Sequence, residues 1–236
     1  LGDVYKRQDT SNNIVLKSVK KNPITFNLVG EGTTANPYLI RNMKEWKMVA
    51  GRPNRNVYYK IANDIDLSSG QFYMIGSAGN PFSGKIDGNL SKLYNLNMDI
   101  APADNVGIFG YVGETASFVG INLENVTVKG KRNVGGLIGY TPGEATKVNE
   151  VVAKNVNVSG TNRYVGGIIG YLGTASNVII KSGTISGDYY ASPIIGYNGV
   201  VSNSIVENAT VTGTYADPIS YSYNCLLYTS PSPRDA

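Results

Sequence analysis

The chain has 236 residues, 21 Lys and Arg against 17 Asp and Glu for a net charge of +4, no histidine and one cysteine. These numbers exclude disulfide scaffolds, the usual zinc sites, H-E-x-x-H metalloproteases and every histidine-activated nucleophile within this chain. The field is too weak to argue for nucleic acid, and no apolar run is long enough to span a bilayer.

The first element, LGDVYKRQ at residues 1–8, is expected not to be protein-derived. Back-translated, it resembles the arm of a transposase-based sequencing adapter. The reverse complement of that string encodes Cys-Leu-Leu-Tyr-Thr-Ser-Pro, which is what stands from Cys225 to Pro231. Residues 225–236 are therefore expected to be adapter as well, with the gene continuing in both directions. Setting both ends aside removes the single cysteine and leaves a net charge of +3.

Residues 9–29 lack any repeat signature and read as the end of a preceding module or a linker. Residues 30–80 read as a cap. Asn42 is a predicted helix N-cap with Glu45 three residues on, Met43, Trp46 and Val49 or Ala50 form an apolar stripe, and Gly51 stops the helix. Such a helix would cover the open β edge of a first coil, with Trp46 in the core. The strand VYYKIANDIDL then ends in Asp64 and Asp66. A turn role is expected for both carboxylates, in preference to calcium.

From residue 81 to 224 the sequence repeats. VGIFGY, VGGLIGY, VGGIIGY and SPIIGY place glycines at Gly110, Gly139, Gly170 and Gly196, and Tyr111, Tyr140, Tyr171 and Tyr197 after them. Between these strings lie NLENVTVKG, VAKNVNVSG, IIKSGTISG and IVENATVTG, which align Asn125, Asn155, Ser182 and Asn208, with Asn95 as an earlier member. Repetition at this period predicts an all-β chain, a solenoid of stacked coils each with at least two short strands. Coils stacked about 4.8 Å apart would bring the asparagines into an amide ladder at a buried bend and the tyrosines into a column of rings. Asn89, Asn125, Asn157 and Asn208 fall in N-x-S/T strings, read as by-products of the strand pattern on inward side chains. The glycines match no phosphate-binding loop. The copy at Ser192-Pro193 departs from Val-Gly-Gly, so a local distortion is expected there.

The ordered succession PYLIRNMKEW, YYKIANDIDLS, MIGS, PFSGKIDGN, LYNLNM and the Gly-Tyr copies resembles bacterial proteins bearing the GLUG motif, over residues 30–224. The resemblance implies a right-handed β-helix within a large secreted or cell-surface protein, with a stalk or adhesion role. With that role goes a host glycan or protein ligand as partner, while the weak charge and the lack of a long apolar run argue for no nucleic acid and no membrane insertion in this segment. It brings no catalytic residue, cofactor or metal. The motif also occurs in the N-terminal region of IgA-cleaving metallopeptidases, so a non-catalytic part of such an enzyme is one alternative. A carbohydrate-active β-helix is another. For that reading the loops after the tyrosine column offer one carboxylate pair, Glu114 and Glu144.

Overall fold

A computed structural model describes residues 6–8, 14–16, 28–51, 56–68 and 72–219. Residues 1–5 and 225–236, parts of the two segments expected to be adapter, lie outside them, as does most of 9–27. Lys6–Gln8 pairs antiparallel with Ile14–Leu16. The described residues from Tyr38 to Ile219 form a parallel β-solenoid of about six turns, as the repeat requires.

Each regular coil has one long strand and two short ones. The long strands are Ser117–Gly130, Lys147–Gly160 and Thr174–Gly187, flanked in the same ten-stranded sheet by Lys92–Asp99 before and Ile205–Thr212 after. A five-stranded sheet collects Asp104–Val106, Arg132–Gly135, Val165–Gly166, Tyr190–Ser192 and Tyr215–Ala216. A three-stranded sheet collects Phe109–Tyr111, Ile138–Tyr140 and Ile169–Tyr171. Each of the first three Gly-Tyr strings thus supplies two of the three walls.

Like residues fall in register. Leu123 faces Leu93 and Ala153, Val126 faces Leu96 and Val156, Val128 faces Met98 and Val158, and Val134 faces Val106 and Val165. These side chains are buried and fill the inside of the coil. Burial on one face drives the stacking, and the evenly spaced parallel ladder satisfies the backbone.

The long strands are bent, and left-handed residues make the bends. In Ser117–Gly130 the inward positions run Phe118, Ile121, Leu123, Val126, Val128, so the step of two becomes a step of three at Gly120 and at Asn125. Both residues have positive φ, as do Glu150 and Asn155 in the next coil. An αL residue adds one position without carrying an inward side chain, which resets the alternation and turns the wall. A further corner falls at the entry to the five-stranded sheet, with positive φ at Asn105 and Asn133 within its first strands and at Tyr164 just before the next.

The glycines of the Gly-Tyr strings serve close approach of backbone to backbone. A Cβ on Gly139 would lie 2.5 Å from the Asn105 carbonyl carbon and 2.6 Å from the Val106 nitrogen. On Gly170 it would lie 2.6 Å from the matching atoms of Asn133 and Val134. Two walls of the solenoid therefore touch through bare main chain. At Ser192-Pro193 the pattern distorts. Ser192 stands in register with Gly166, its hydroxyl is buried without a hydrogen-bond partner, and the strand that should follow is reduced to one bridge, Ile169 to Ile195. Pro193 has no N–H to pass the ladder on.

The helix forms at Met43–Ala50 with Asn42 as N-cap, its side chain accepting from the Glu45 N–H at 3.1 Å. Glu45 departs from a capping box. It accepts from the Arg41 N–H at 2.7 Å and pairs with the Arg41 guanidinium, so the reciprocal bond falls one residue earlier than Asn42. That hydrogen bond to Arg41 holds the Glu45 carboxyl below its ordinary range, against the opposing effect of burial. Trp46 is buried, donates from Nε1 to the Tyr73 carbonyl at 3.0 Å and meets Phe109 edge-on at 5.7 Å. The parallel sheet itself runs on from Tyr38–Ile40 through Tyr58–Ile61 to Lys85–Asp87, so the segment 30–80 carries coils of its own beneath the helix.

Candidate functional site: the side-chain files and the tyrosine face

The asparagine file is a chain of amides. Asn125 donates to Asn95 Oδ1 at 3.4 Å, Asn155 donates to Asn125 Oδ1 at 2.9 Å, and the Asn155 main-chain N–H donates to Ser182 Oγ at 3.0 Å. Asn208 stands opposite Ser182 in the register, but from Asn155 the amide chain turns along the strand instead, to Asn157, which donates to Asn155 Oδ1 at 3.1 Å. The file does not line a buried bend. Asn95, Asn125 and Asn155 are exposed, and their left-handed backbone is the reason for asparagine, the side chain best suited to that conformation after glycine. Nor are the N-x-S/T strings at Asn125 and Asn208 inward. Replacing Asn155 with glycine is expected to leave stability within a few tenths of a kcal/mol, while alanine costs about 1–2 kcal/mol. Urea denaturation of both variants checks this, and equal losses would mean that the amide file matters more than the bend.

A second asparagine file went unpredicted. Asn133 donates to Asn105 Oδ1 at 2.6 Å at the corner where the chain enters the five-stranded sheet. In the following coils that position changes type, to Tyr164, Tyr190 and Tyr215. The signal was present in the residue just before each Val-Gly string.

The tyrosine column stands as a file of rings. Tyr111 and Tyr140 have centroids 4.6 Å apart, Tyr140 and Tyr171 stack at 5.2 Å with planes 2° apart, and Tyr171 and Tyr197 stack at 5.8 Å. Because the walls touch at the glycines, this file lies against the second one. Tyr164 is 5.0 Å from Tyr171 and 4.6 Å from Tyr197, and it stacks on Tyr190 at 5.6 Å, which stacks on Tyr215 at 5.2 Å. Tyr189 closes the group at 5.3 Å from Tyr190. Tyr189 and Tyr215 are 41% and 43% exposed and the rest half-buried, so one face of the solenoid presents phenol edges to solvent. Burial first, then neighbouring phenols, push the Tyr140 and Tyr171 hydroxyls above their ordinary pKa.

Beside the tyrosines lies a basic pocket of about 330 Å³, lined by Asp104, Lys131, Arg132, Asn162 and Arg163. Arg132 donates to Asp104 at 2.8 Å. Lys131 and Arg163 have no carboxylate partner among the described residues, and the Arg163 guanidinium lies over the Tyr189 ring at 5.6 Å.

The charged positions beside the asparagine file also meet. Glu124 bridges Lys92 at 2.9 Å and Lys154 at 3.5 Å, and Lys92 first and Lys154 after it hold its carboxyl below the ordinary range. Asp66 accepts from the Ser68 N–H and hydroxyl at 3.0 and 2.7 Å and closes a turn, whereas Asp64 departs from the expected turn role: it accepts from the Lys92 N–H at 2.8 Å and ties its coil to the next one. Glu114 and Glu144 are exposed. The Glu114 carboxyl lies over Gly143, where a Cβ would be 3.7 Å from its Oε1, which puts it next to Glu144 along the chain. Among the described residues no three acidic side chains cluster.

No family model matches the chain. Two curated relatives are similar to it. Halomucin of Haloquadratum walsbyi (strain DSM 16790 / HBSQ001) is 29% identical over 190 residues, 76% of this chain and 2% of that protein. A protein of Evansella cellulosilytica, provisionally named a Gly-rich membrane protein, is 29% identical over 132 residues, 51% of this chain and 15% of that protein. The chain therefore spans only a small part of the relatives it matches. Among solved structures, one from Bacteroides ovatus, provisionally named an immunoglobulin A1 protease, has the same fold. It superposes with a TM-score of 0.62 at 19% identity, over 83% of this chain and 65% of that one. Among the described residues no helix is long and apolar enough to cross a membrane.

Proposed function

We propose that the chain is a non-enzymatic structural and adhesive module of a large secreted or cell-surface protein, a rigid solenoid that displays side chains along its length to ligands on host or neighbouring cells. The observation that carries this reading is the outer surface. The tyrosine files repeat coil after coil and present phenol edges to solvent, whereas the acidic pair that a glycosidase needs is exposed and unsupported. The names of the two relatives, and the small share of each that the chain covers, support a module within a long surface protein. The ordered motifs that resemble GLUG proteins support the same assignment. The fold shared with the Bacteroides ovatus structure favours a second reading, a non-catalytic region of a peptidase-like protein.

Beads coated with the purified chain are expected to be retained on cultured epithelial cells or extracellular matrix, against beads coated with an unrelated β-solenoid. Incubation with uronic and neutral glycans is expected to release no reducing ends. Turnover that disappears in Glu144→Gln would replace the adhesive reading with a catalytic one.

A further inference from the structure

The tyrosine files and the basic pocket are neighbours, and their chemistry fits one kind of ligand. We propose that this face binds an acidic polysaccharide laid along the solenoid axis. An anionic substituent sits among Lys131, Arg132 and Arg163, and sugar rings and hydroxyls lie on the phenol edges of Tyr164, Tyr189 and Tyr190. The inference rests on the adhesive reading above and supplies its ligand class and its site.

Three observations carry it. The pocket sets three cations against one carboxylate, and Asp104 is paired with Arg132 through Oδ2, so among the described residues Lys131 and Arg163 remain as unneutralised charge facing an open space of about 330 Å³. That volume is at the low end of small-molecule sites, roughly 300–1,000 Å³, and suits one charged sugar better than a folded protein. Arg163 joins the pocket to the aromatic face through its contact with Tyr189, so a ligand anchored in one necessarily meets the other. A guanidinium there has donors in a planar fork, the arrangement that takes a carboxylate or sulfate in two bonds.

The third observation is spacing. The rings recur once per coil, about 4.8 Å apart in an ideal stack, a step comparable with one pyranose unit of an extended glycan. Phenols offer a hydrogen-bonding hydroxyl and an apolar edge together, which matches the mixed polar and C–H faces of a sugar. Single-stranded nucleic acid also combines anions with rings, but its bases need open aromatic faces on which to stack. Here the inner rings of both files have their faces covered, Tyr171 lying between Tyr140 and Tyr197 and Tyr190 between Tyr164 and Tyr215, so no run of open faces lies along the axis. The basic side chains also form one pocket, whereas a nucleic acid would call for a row at phosphate spacing.

The test uses the full chain and four polymers: dextran, carboxymethyl-dextran, dextran sulfate and poly(dT). Binding is followed by calorimetry at physiological salt. Binding is expected to one or both charged dextrans and not to neutral dextran, and the two charged forms tell whether carboxylate or sulfate is preferred. Arg163→Gln and Tyr189→Ala are each expected to weaken binding about tenfold or more, with unfolding midpoints unchanged to show that the solenoid is intact. Any one of three results overturns the site: equal affinity for neutral dextran, charge-dependent binding untouched by Tyr189→Ala, or tighter binding to poly(dT). If beads still adhere to cells and charged dextrans neither bind nor compete, the glycan site is wrong and the adhesive role stands. Beads that never adhere count against the role itself.

Discussion

Gly170→Ala is expected to lower the unfolding free energy by about 3 kcal/mol, the upper part of what overpacking usually costs, or about 6–12 °C in midpoint for a chain of this length. The new methyl has nowhere to go, because its three nearest atoms, at 2.6 Å each, are main-chain atoms of Asn133, Val134 and Gly139. Main chain in a paired sheet cannot swing aside as a side chain can. Gly110→Ala is the internal control. There the added carbon meets the sulfur and terminal methyl of Met74 at 2.7 and 2.8 Å, a flexible side chain, besides the Asn105 carbonyl oxygen at 2.8 Å. The loss at Gly110 is therefore expected to be the smaller of the two. Thermal and urea unfolding of both variants measures the difference, and a Gly170→Ala protein within about 0.5 kcal/mol of the parent would show that the walls are not held together by backbone contact.

Phe109→Ala is expected to cost about 3–5 kcal/mol, the range for truncating a buried aromatic side chain. Its ring lies 4.7 Å from Phe118, 5.0 Å from Phe82 and 5.7 Å from Trp46, and none of the four is measurably exposed beyond 1%. Toward the other end the same register position is Ile138, Ile169 and Ile195, so aromatic bulk is concentrated where the helix closes the coil. Because stacked coils unfold semi-independently, the loss should appear first near the helix. Hydrogen exchange is expected to quicken in residues 38–61 before it does in 147–187. Uniform acceleration along the chain would contradict a cap that is packed locally.

The stacking itself was legible because Val-Gly-Gly-x-Ile-Gly-Tyr leaves few alternatives: bulky residues for the inside, glycines where no side chain fits, a tyrosine where the chain re-emerges. The helix was legible from Asn42, Trp46 and Gly51, each of which does locally what its residue type does elsewhere. What escaped the sequence reading was the outward placement of the asparagines. A polar ladder suggests burial, but the αL backbone at Asn125 and Asn155 gives asparagine a reason to be there that involves no burial. The other bends were hidden because their positive φ is spread over Gly120, Glu150 and Asn177, three residue types with no common pattern. The step of three between Leu123 and Val126 marks such a bend, but it is visible only once the inward positions are known. The pocket brings together Asp104, Arg132 and Arg163 from three successive coils, and only the register of the five-stranded sheet makes them neighbours.

The coils differ in length, and most of the difference falls in one place. Between Tyr140 and the long strand at Lys147 the chain takes six residues, 141–146, with Thr141 and Thr146 buried and joined at 2.8 Å, whereas between Tyr171 and Thr174 it takes only Leu172 and Gly173. Register is kept on both sides of the loop, Tyr140 facing Tyr171 before it and Lys147 facing Thr174 after it, with a bulge only further along between Ala153 and Val156. Evolution can thus lengthen or trim this edge by several residues without touching the walls, and a foreign epitope spliced there would be carried outward on a stiff support, one tag per winding.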